Sequence, residues 1–278
     1  MTRKEFLKLS TLLLASPFYA NMIKEDKNPM PALFIGHGSP MNIIRDNAFT
    51  KSLSNITKTF NKPKAIIVIS AHWYEKETLI SNSEEQDTIY DFYGFPDELY
   101  EMHYEPLGNP QLAKEVSKLV ENSKLEDRGL DHGAWSVLKH MYPNADIPTF
   151  QISINKNFTY EQHFKFASLL GKLREHGVLI IGSGSVTHNL RLTNSRSIKI
   201  DKWAISFDKF IKDSFSNKIF SNIINAPYHP LFNTAHPFDD HYIPLLYTAG
   251  LTKKEDNIEH FYEEIVSANL SMRCIKVG

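Results

Sequence analysis

The sequence predicts an α/β fold, with one domain built on a central, mostly parallel or mixed sheet that helices flank. Two observations support this prediction. Short apolar runs rich in β-branched residues alternate with segments whose apolar residues recur at helical spacing. No linker rich in Gly, Pro or Ser separates these segments, so we expect residues 30–278 to form one catalytic domain.

Four apolar runs predict the strands, at residues 32–35, 65–69, 147–154 and 178–181. Because the runs are apolar almost throughout, rather than alternating with polar residues, we expect strands buried on both faces, as in a parallel sheet. Helical spacing appears at residues 112–120, 164–173 and 203–211. Strands that alternate with helices in this way are typical of a parallel or mixed α/β sheet.

Composition excludes several classes of function. The formal net charge of -1 provides no basic surface for nucleic acid or for an anionic membrane, so we expect neither as a partner. A single cysteine, Cys274, excludes an internal disulfide and a thiolate metal cage. The chain has 12 histidines, so any metal would be held by imidazoles and carboxylates.

The N-terminal residues 1–29 have the layout of an export leader or of a disordered segment. A basic start precedes an apolar stretch at residues 9–15, which is too short to span a bilayer. Residues 2–8 resemble a twin-arginine signal in which Lys4 replaces the second arginine. The alternative is an amphipathic leader with no export function, so both the cytoplasm and the periplasm fit the sequence.

Histidines follow three of the four predicted strands: His37, His72 and His188. In open α/β sheets ligands bind outside the carboxyl ends of the strands, so these side chains can converge on one point. A fourth histidine, His241, follows Asp239 and Asp240, either of which could cap a helix that begins at His241.

Neutral imidazoles bind Fe2+ or Zn2+ well, and three protein ligands leave coordination positions open for substrate. A further histidine beside such a metal could transfer protons near neutral pH. A lone histidine after a strand is more often structural, and residues 182–185 could form an ordinary turn or a phosphate-binding nest. They match neither the P-loop nor the nucleophile elbow, and the combination of four histidines carries the hypothesis.

Five motifs resemble the 4,5-DOPA extradiol dioxygenase family, which belongs to the class III, protocatechuate 4,5-dioxygenase-like ring-opening enzymes. They lie at residues 31–41, 70–73, 129–135, 183–190 and 240–245, and the resemblance runs in order through residues 30–278. It implies an extradiol ring-opening enzyme that acts on a DOPA-like catechol with O2. It also implies one divalent metal, Zn2+ or Fe2+, at the carboxyl ends of the strands.

The resemblance also assigns roles to individual residues. His37, His72 and His241 match the metal ligands; His241 is preferred to His236 because its Asp-His-x-x-Pro-Leu context resembles the family's ligand motif. His188 matches the histidine that acts as acid and base, and is a candidate fourth ligand. His132 matches a histidine that lines the substrate pocket.

Other interpretations of these residues stay open at this stage. The histidine cluster could hold Zn2+ in a hydrolase, or metal in a non-catalytic protein. His132 could simply start a helix capped by Asp131. The aromatic segment, which we define as residues 90–104, could be a lid over a planar substrate or a packed Ω-type loop. The remaining histidines are interpreted as structural or solvated: His103, His140, His163, His176, His229 and His260.

Overall fold

This computed structural model describes residues 29–278, and a six-stranded mixed sheet forms its centre. In chain order the strands are β1 (Ala32–Gly36), β2 (Ala65–Ser70), β3 (Tyr74–Glu75), β4 (Leu79–Ser81), β5 (Lys124–Glu126), β6 (Thr149–Gln151), β7 (Ile154–Asn155), β8 (Val178–Gly184), β9 (Ile258–Tyr262), β10 (Ile265–Val266), β11 (Leu270–Ser271) and β12 (Cys274–Val277). The spatial order of the central sheet is β6-β2-β8-β1-β12-β9. Strands β6, β2, β8 and β1 are parallel, whereas β12 runs antiparallel to β1 and to β9.

Helices cover both faces of this sheet. In chain order they are α1 (Ala48–Ile56), α2 (Pro110–Ser117), α3 (His132–Met141), α4 (Tyr160–Glu175), α5 (Lys202–Ser216), α6 (Phe220–Ile224), α7 (Phe232–Ala235) and α8 (Ile243–Leu251). Short 3-10 helices lie at Pro40–Ile43, Thr57–Thr59, Asp97–Leu99 and Ala226–Tyr228. The predicted α/β fold with a mixed sheet is thereby confirmed.

Two hydrophobic cores lie on opposite faces of the sheet. Every residue of β1, β2 and β8 is buried, and alternate side chains point to opposite faces. Phe34 and Ile67 pack with residues of α4 and α8 on one face, while Leu33 and Ile66 pack with residues of α1 and α3 on the other. This double burial explains why these strands appear in the sequence as continuous apolar runs.

The apolar run at residues 147–154 was predicted as one strand, and this is wrong. It forms β6 in the central sheet and then β7, which pairs with β3. Between them, Ser153 accepts a hydrogen bond from Leu79 N at 2.8 Å and donates one to Glu77 O at 3.0 Å. The chain leaves the central sheet here because these bonds tie it to the segment around β4.

The helix predicted to begin at His241 begins instead at Ile243, so that prediction is also wrong. Its N-cap is Tyr242, and no side chain caps it. Asp240 does not act as a cap because its Oδ1 accepts hydrogen bonds from the backbone N and the ring Nδ1 of His241. His241 therefore lies in the turn before α8.

The predicted leader lies outside the described residues, apart from Pro29 at its boundary. Among residues 29–278, no helix combines the length and the apolar character needed to cross a membrane.

Candidate functional site

Five histidine rings meet at the carboxyl edge of the parallel strands. His37, His72 and His188 come from the loops after β1, β2 and β8, His132 begins α3, and His241 precedes α8. The rings of residues 37, 72 and 241 have centroids 5.0–5.3 Å apart. The ring of residue 132 lies 3.9 Å from that of residue 72, and the ring of residue 188 lies 3.5 Å from that of residue 241. The structure thus brings together every histidine that the sequence singled out for the site.

Two glycines beside the site leave room for groups that a Cβ would contact. Gly38 has a φ of +67°, and a Cβ there would lie 2.3 Å from the sulfur of Met272. At Gly184 a Cβ would lie 2.3 Å from the carbonyl oxygen of His241. The same carbonyl accepts a hydrogen bond from Ser185 N at 2.9 Å, so β8 and the turn before α8 are in direct contact.

The hydrogen-bond network assigns the proton of His37 to Nδ1. This atom lies 2.9 Å from Ser183 Oγ, and that hydroxyl donates its own proton to Gly133 O at 2.6 Å. Because a hydroxyl has one proton to donate, Ser183 Oγ accepts from His37 Nδ1–H. The Nε2 atom of His37 therefore carries a lone pair.

Carboxylates lie beside Nδ1 of two further rings. His241 Nδ1 lies 2.9 Å from Asp240 Oδ1 and donates a hydrogen bond to it, which leaves a lone pair on His241 Nε2. His72 Nδ1 lies 3.2 Å from Asp91 Oδ2 without an aligned hydrogen bond, and the negative charge of this carboxylate favours a proton on Nδ1. Partners that hold a proton on Nδ1 leave Nε2 of an imidazole for a metal.

The donor set fits a divalent metal ion. His37 Nε2 and His72 Nε2 lie 3.1 Å apart, close enough for one ion to contact both nitrogens. Two groups have ligand atoms within 4.8 Å of one another, and the three predicted ligands divide between them: His37 and His72 lie with His132, and His241 lies with His188 and Asp240.

Burial keeps these imidazoles neutral. It is the main cause that lowers the pKa of His72 to about 3 and that of His188 to about 4, and it holds the pKa values of His37 and His241 well below the usual range. Burial alone would raise the pKa of Asp91, but the hydrogen bonds that it accepts from the ring and the backbone of His132 lower it to about 2. Neutral imidazoles beside ionised carboxylates are the forms that bind a metal.

A cavity of about 870 Å3 opens over the histidines. Its volume suits a small aromatic molecule. Phe92, Tyr93 and Phe95 of the aromatic segment line it, whereas Tyr104 of the same segment is buried in the core. The segment therefore both packs against the fold, as an Ω-type loop would, and forms a wall of the cavity, as a lid would.

Both interpretations of His132 also hold. It is the first residue of α3, where the Asp131 side chain accepts a hydrogen bond from Ala134 N, and it lines the cavity. His236 belongs to neither ligand group, and its Nε2 lies 2.8 Å from Val186 O. The six histidines interpreted as structural or solvated are likewise absent from both groups in the described part of the chain.

Sequence reasoning missed three contributors to the site. Ser183 and Asp91 orient histidine rings, and Arg191 lines the cavity with its guanidinium 5.8 Å from the Phe238 ring. Asp91 lies in the aromatic segment, which was considered only as a lid or a packed loop. A carboxylate among these aromatic residues was the signal that could have identified it.

Known proteins are similar to this chain over almost all of the residues that the structure describes. The family model for the catalytic LigB subunit of aromatic ring-opening dioxygenase matches residues 30–273. A 4,5-DOPA dioxygenase extradiol of Escherichia coli (strain K12) is 38% identical over 262 residues, which are 90% of this chain and 95% of that protein. One of Beta vulgaris is 37% identical over 244 residues, 84% of this chain and 91% of that protein.

A solved structure is also similar to this chain in fold and sequence. The crystal structure of an uncharacterized protein from Escherichia coli K12 has a TM-score of 0.79 and 34% identity, and the match covers 90% of this chain and 100% of that one. The strand-end histidines, the cavity and these matches lead to one conclusion. The chain belongs to the LigB family of aromatic ring-opening dioxygenases and is an extradiol dioxygenase.

Proposed function

We propose that this enzyme opens the ring of a DOPA-like catechol with O2, using one Fe2+ ion held by His37, His72 and His241. The observation that carries the proposal is that Nδ1 of each of these rings faces an oxygen of Ser183, Asp91 or Asp240. These partners favour a proton on Nδ1, which leaves the Nε2 lone pair for a metal.

Fe2+ is favoured over Zn2+ by the reaction and not by the ligands, because imidazoles accept both ions. When bound, iron would supply the redox chemistry that lets a catechol react with O2, which zinc does not have. The zinc-hydrolase and metal-storage alternatives are not favoured, since the family and the named relatives are ring-opening dioxygenases.

The chain's own residues would handle the protons of the substrate. His188 is neutral because burial lowers its pKa to about 4, so an imidazole nitrogen of His188 can take the proton of a catechol hydroxyl. His132 donates its Nδ1–H to Asp91 and presents Nε2 to the cavity, where it can accept a hydrogen bond from substrate.

The wall of the cavity favours a flat molecule that carries an anionic group. Phe92 and Phe95 offer ring faces to an aromatic substrate and exclude water from it. Arg191 is the only Lys or Arg among the described residues that line the cavity, and a guanidinium pairs with a carboxylate through two parallel hydrogen bonds. A catechol amino acid has both features, and the named relatives are 4,5-DOPA dioxygenases.

The test is oxygen uptake by protein loaded with Fe2+ under anaerobic conditions and then exposed to air with a panel of catechols. We expect O2 consumption and a yellow ring-opened product with the Fe2+ protein, and neither with the metal-free or Zn2+ protein. Turnover of esters or amides by the Zn2+ protein without O2 consumption would support the hydrolase instead. If added catechol left the visible spectrum of the Co2+-loaded protein unchanged, the result would support a non-catalytic metal-storage protein.

A further inference from the structure

One carboxylate, that of Asp91, contacts two of the site histidines. Its Oδ2 atom lies 2.9 Å from His132 Nδ1 and 3.2 Å from His72 Nδ1. Its Oδ1 atom accepts a hydrogen bond from the backbone N of His132 at 2.8 Å. The two imidazoles are themselves in contact, with ring centroids 3.9 Å apart.

This arrangement favours a proton on Nδ1 of both rings. Asp91 Oδ2 accepts the hydrogen bond of His132 Nδ1–H, and its negative charge beside His72 Nδ1 favours a proton there, so both Nε2 atoms are left for the cavity. Without Asp91, His72 could turn its ring or move its proton to Nε2, and either change would remove the lone pair from the metal position. Without Asp91, His132 could likewise move its proton to Nε2, and Nε2 could then no longer accept a hydrogen bond from substrate.

Asp91 also lies where the aromatic segment meets α3. On one side of it, Ile89 O accepts a hydrogen bond from Trp135 Nε1 at 3.0 Å. On the other side, the ring of Phe92 lies edge-on to His132 with centroids 5.6 Å apart, and Phe92 lines the cavity. Asp91 therefore links two parts of the site. It is next in sequence to Phe92, which would contact a substrate ring, and its carboxylate contacts His72, a predicted metal ligand.

We propose that Asp91 is a positioning residue that holds His72 and His132 as Nδ1–H tautomers and seats the aromatic segment against the metal site. Metal affinity and substrate affinity then depend on the same side chain. The inference rests on the proposed function for the roles of His72 and His132, and it goes beyond that function by linking them.

The first test is Asp91→Asn, which keeps the shape of the side chain. An amide has one acceptor oxygen and no charge, and its NH2 group cannot accept from an Nδ1–H, so the two hydrogen bonds from His132 and the contact with His72 cannot all persist. We expect the Kd for Zn2+ or Co2+, measured by competition with a chelator, to rise about 10- to 100-fold. We also expect a changed visible spectrum of the Co2+ protein, and a higher KM for catechol together with a lower kcat.

Asp97→Asn is the matched control. Asp97 lies in the same aromatic segment, is exposed and does not line the cavity. It should leave the Kd and the Co2+ spectrum unchanged. An Asp91→Asn protein with wild-type Kd and wild-type Co2+ spectrum would overturn the proposal.

A second measurement uses the wild-type protein and so does not depend on a variant that folds. Long-range 15N–1H correlation spectra of the Zn2+-loaded protein report which ring nitrogen carries the proton. We expect Nδ1–H at both His72 and His132. A proton on Nε2 of either ring would overturn the proposal. Metal affinity and tautomers are read without turnover, so if no catechol were consumed while Asp91→Asn still weakened metal binding, the ring-opening function would fail and the role of Asp91 would stand.

Discussion

The imidazole rings of His188 and His241 lie stacked, with centroids 3.5 Å apart and an angle of 7° between their planes. The nitrogen lone pairs of an imidazole lie in the plane of its ring, so those of His188 and His241 lie in nearly parallel planes and do not converge on one point. The stacking favours the acid–base role for His188 over a fourth-ligand role.

His188→Phe tests this assignment. Phenylalanine keeps a flat ring for the stack but has no proton acceptor, so we expect metal content near the wild-type value and turnover lower by about 10²- to 10⁴-fold. His37→Ala, as a comparison, should lose the metal. Metal content by elemental analysis and oxygen uptake on a catechol separate the two effects. If His188→Phe lost its metal, His188 would be a ligand; if it kept wild-type turnover, it would not be the base.

Gly133→Ala should weaken metal binding by displacing His72. A Cβ at this position would lie 2.4 Å from Ser70 Oγ and 2.9 Å from His72 Cδ2, closer than real Cβ atoms approach their neighbours. We expect a rise in the Kd for Zn2+, measured by chelator competition. A wild-type Kd would mean that the new methyl group displaces the Ser70 side chain and leaves His72 in place.

The matched control for that substitution is Gly171→Ala. Gly171 lies within α4, and a Cβ there would have no neighbour within 4 Å. Alanine is favoured over glycine inside a helix, so the control should keep its metal affinity and gain roughly 0.5–1 kcal/mol in the free energy of unfolding. Chemical denaturation measures this gain.

Much of the fold could be predicted because its central strands are buried on both faces. β1, β2 and β8 are continuous apolar runs, and the rule that ligands bind at the carboxyl ends of such strands led to the histidines. The strand β9 was not predicted. Its residues are only partly buried and it carries Glu259 and His260, so no apolar run marks it, and it pairs with the sheet only through β12.

The partners that orient the histidines could not be predicted, for a different reason. His37 and Ser183 are 146 residues apart in sequence, and Asp91 and His132 are 41 apart. Nothing in local spacing links such residues. Their contacts follow from the order in which the strands assemble, which periodicity does not encode.

Arg191→Gln should separate catechols with a carboxylate from those without one. The guanidinium of Arg191 is exposed at the cavity wall, so solvent weakens its pairing with an anion. We expect the KM for a carboxylate-bearing catechol to rise about 10-fold, which is about 1.4 kcal/mol, with little change for an uncharged catechol. Equal effects on both substrates would exclude Arg191 as the anion-binding residue. Arg191→Lys should give an intermediate KM because it keeps the charge and loses the planar fork.

The free energy of unfolding should fall as the pH falls below about 6.5, and His163 should account for part of this loss. His163 is fully buried beside Tyr247, and burial lowers its pKa to about 3. Its pKa in the unfolded chain is about 6.5, so between these values the unfolded state binds a proton that the folded state does not. Stability is therefore present above the unfolded pKa and is lost at about 1.4 kcal/mol per pH unit below it.

His163→Gln removes this proton uptake. Between pH 7 and pH 5 the metal-free variant should lose about 2 kcal/mol less than the metal-free wild type, as measured by chemical denaturation at each pH. His103→Gln, at an exposed position, should retain the wild-type pH dependence. Metal-free protein is used for all three because metal binding by the site histidines has its own pH dependence. A His163→Gln protein with the same pH dependence as the wild type would mean that His163 becomes protonated in the folded state, and that its pocket admits water or rearranges to accommodate the charge.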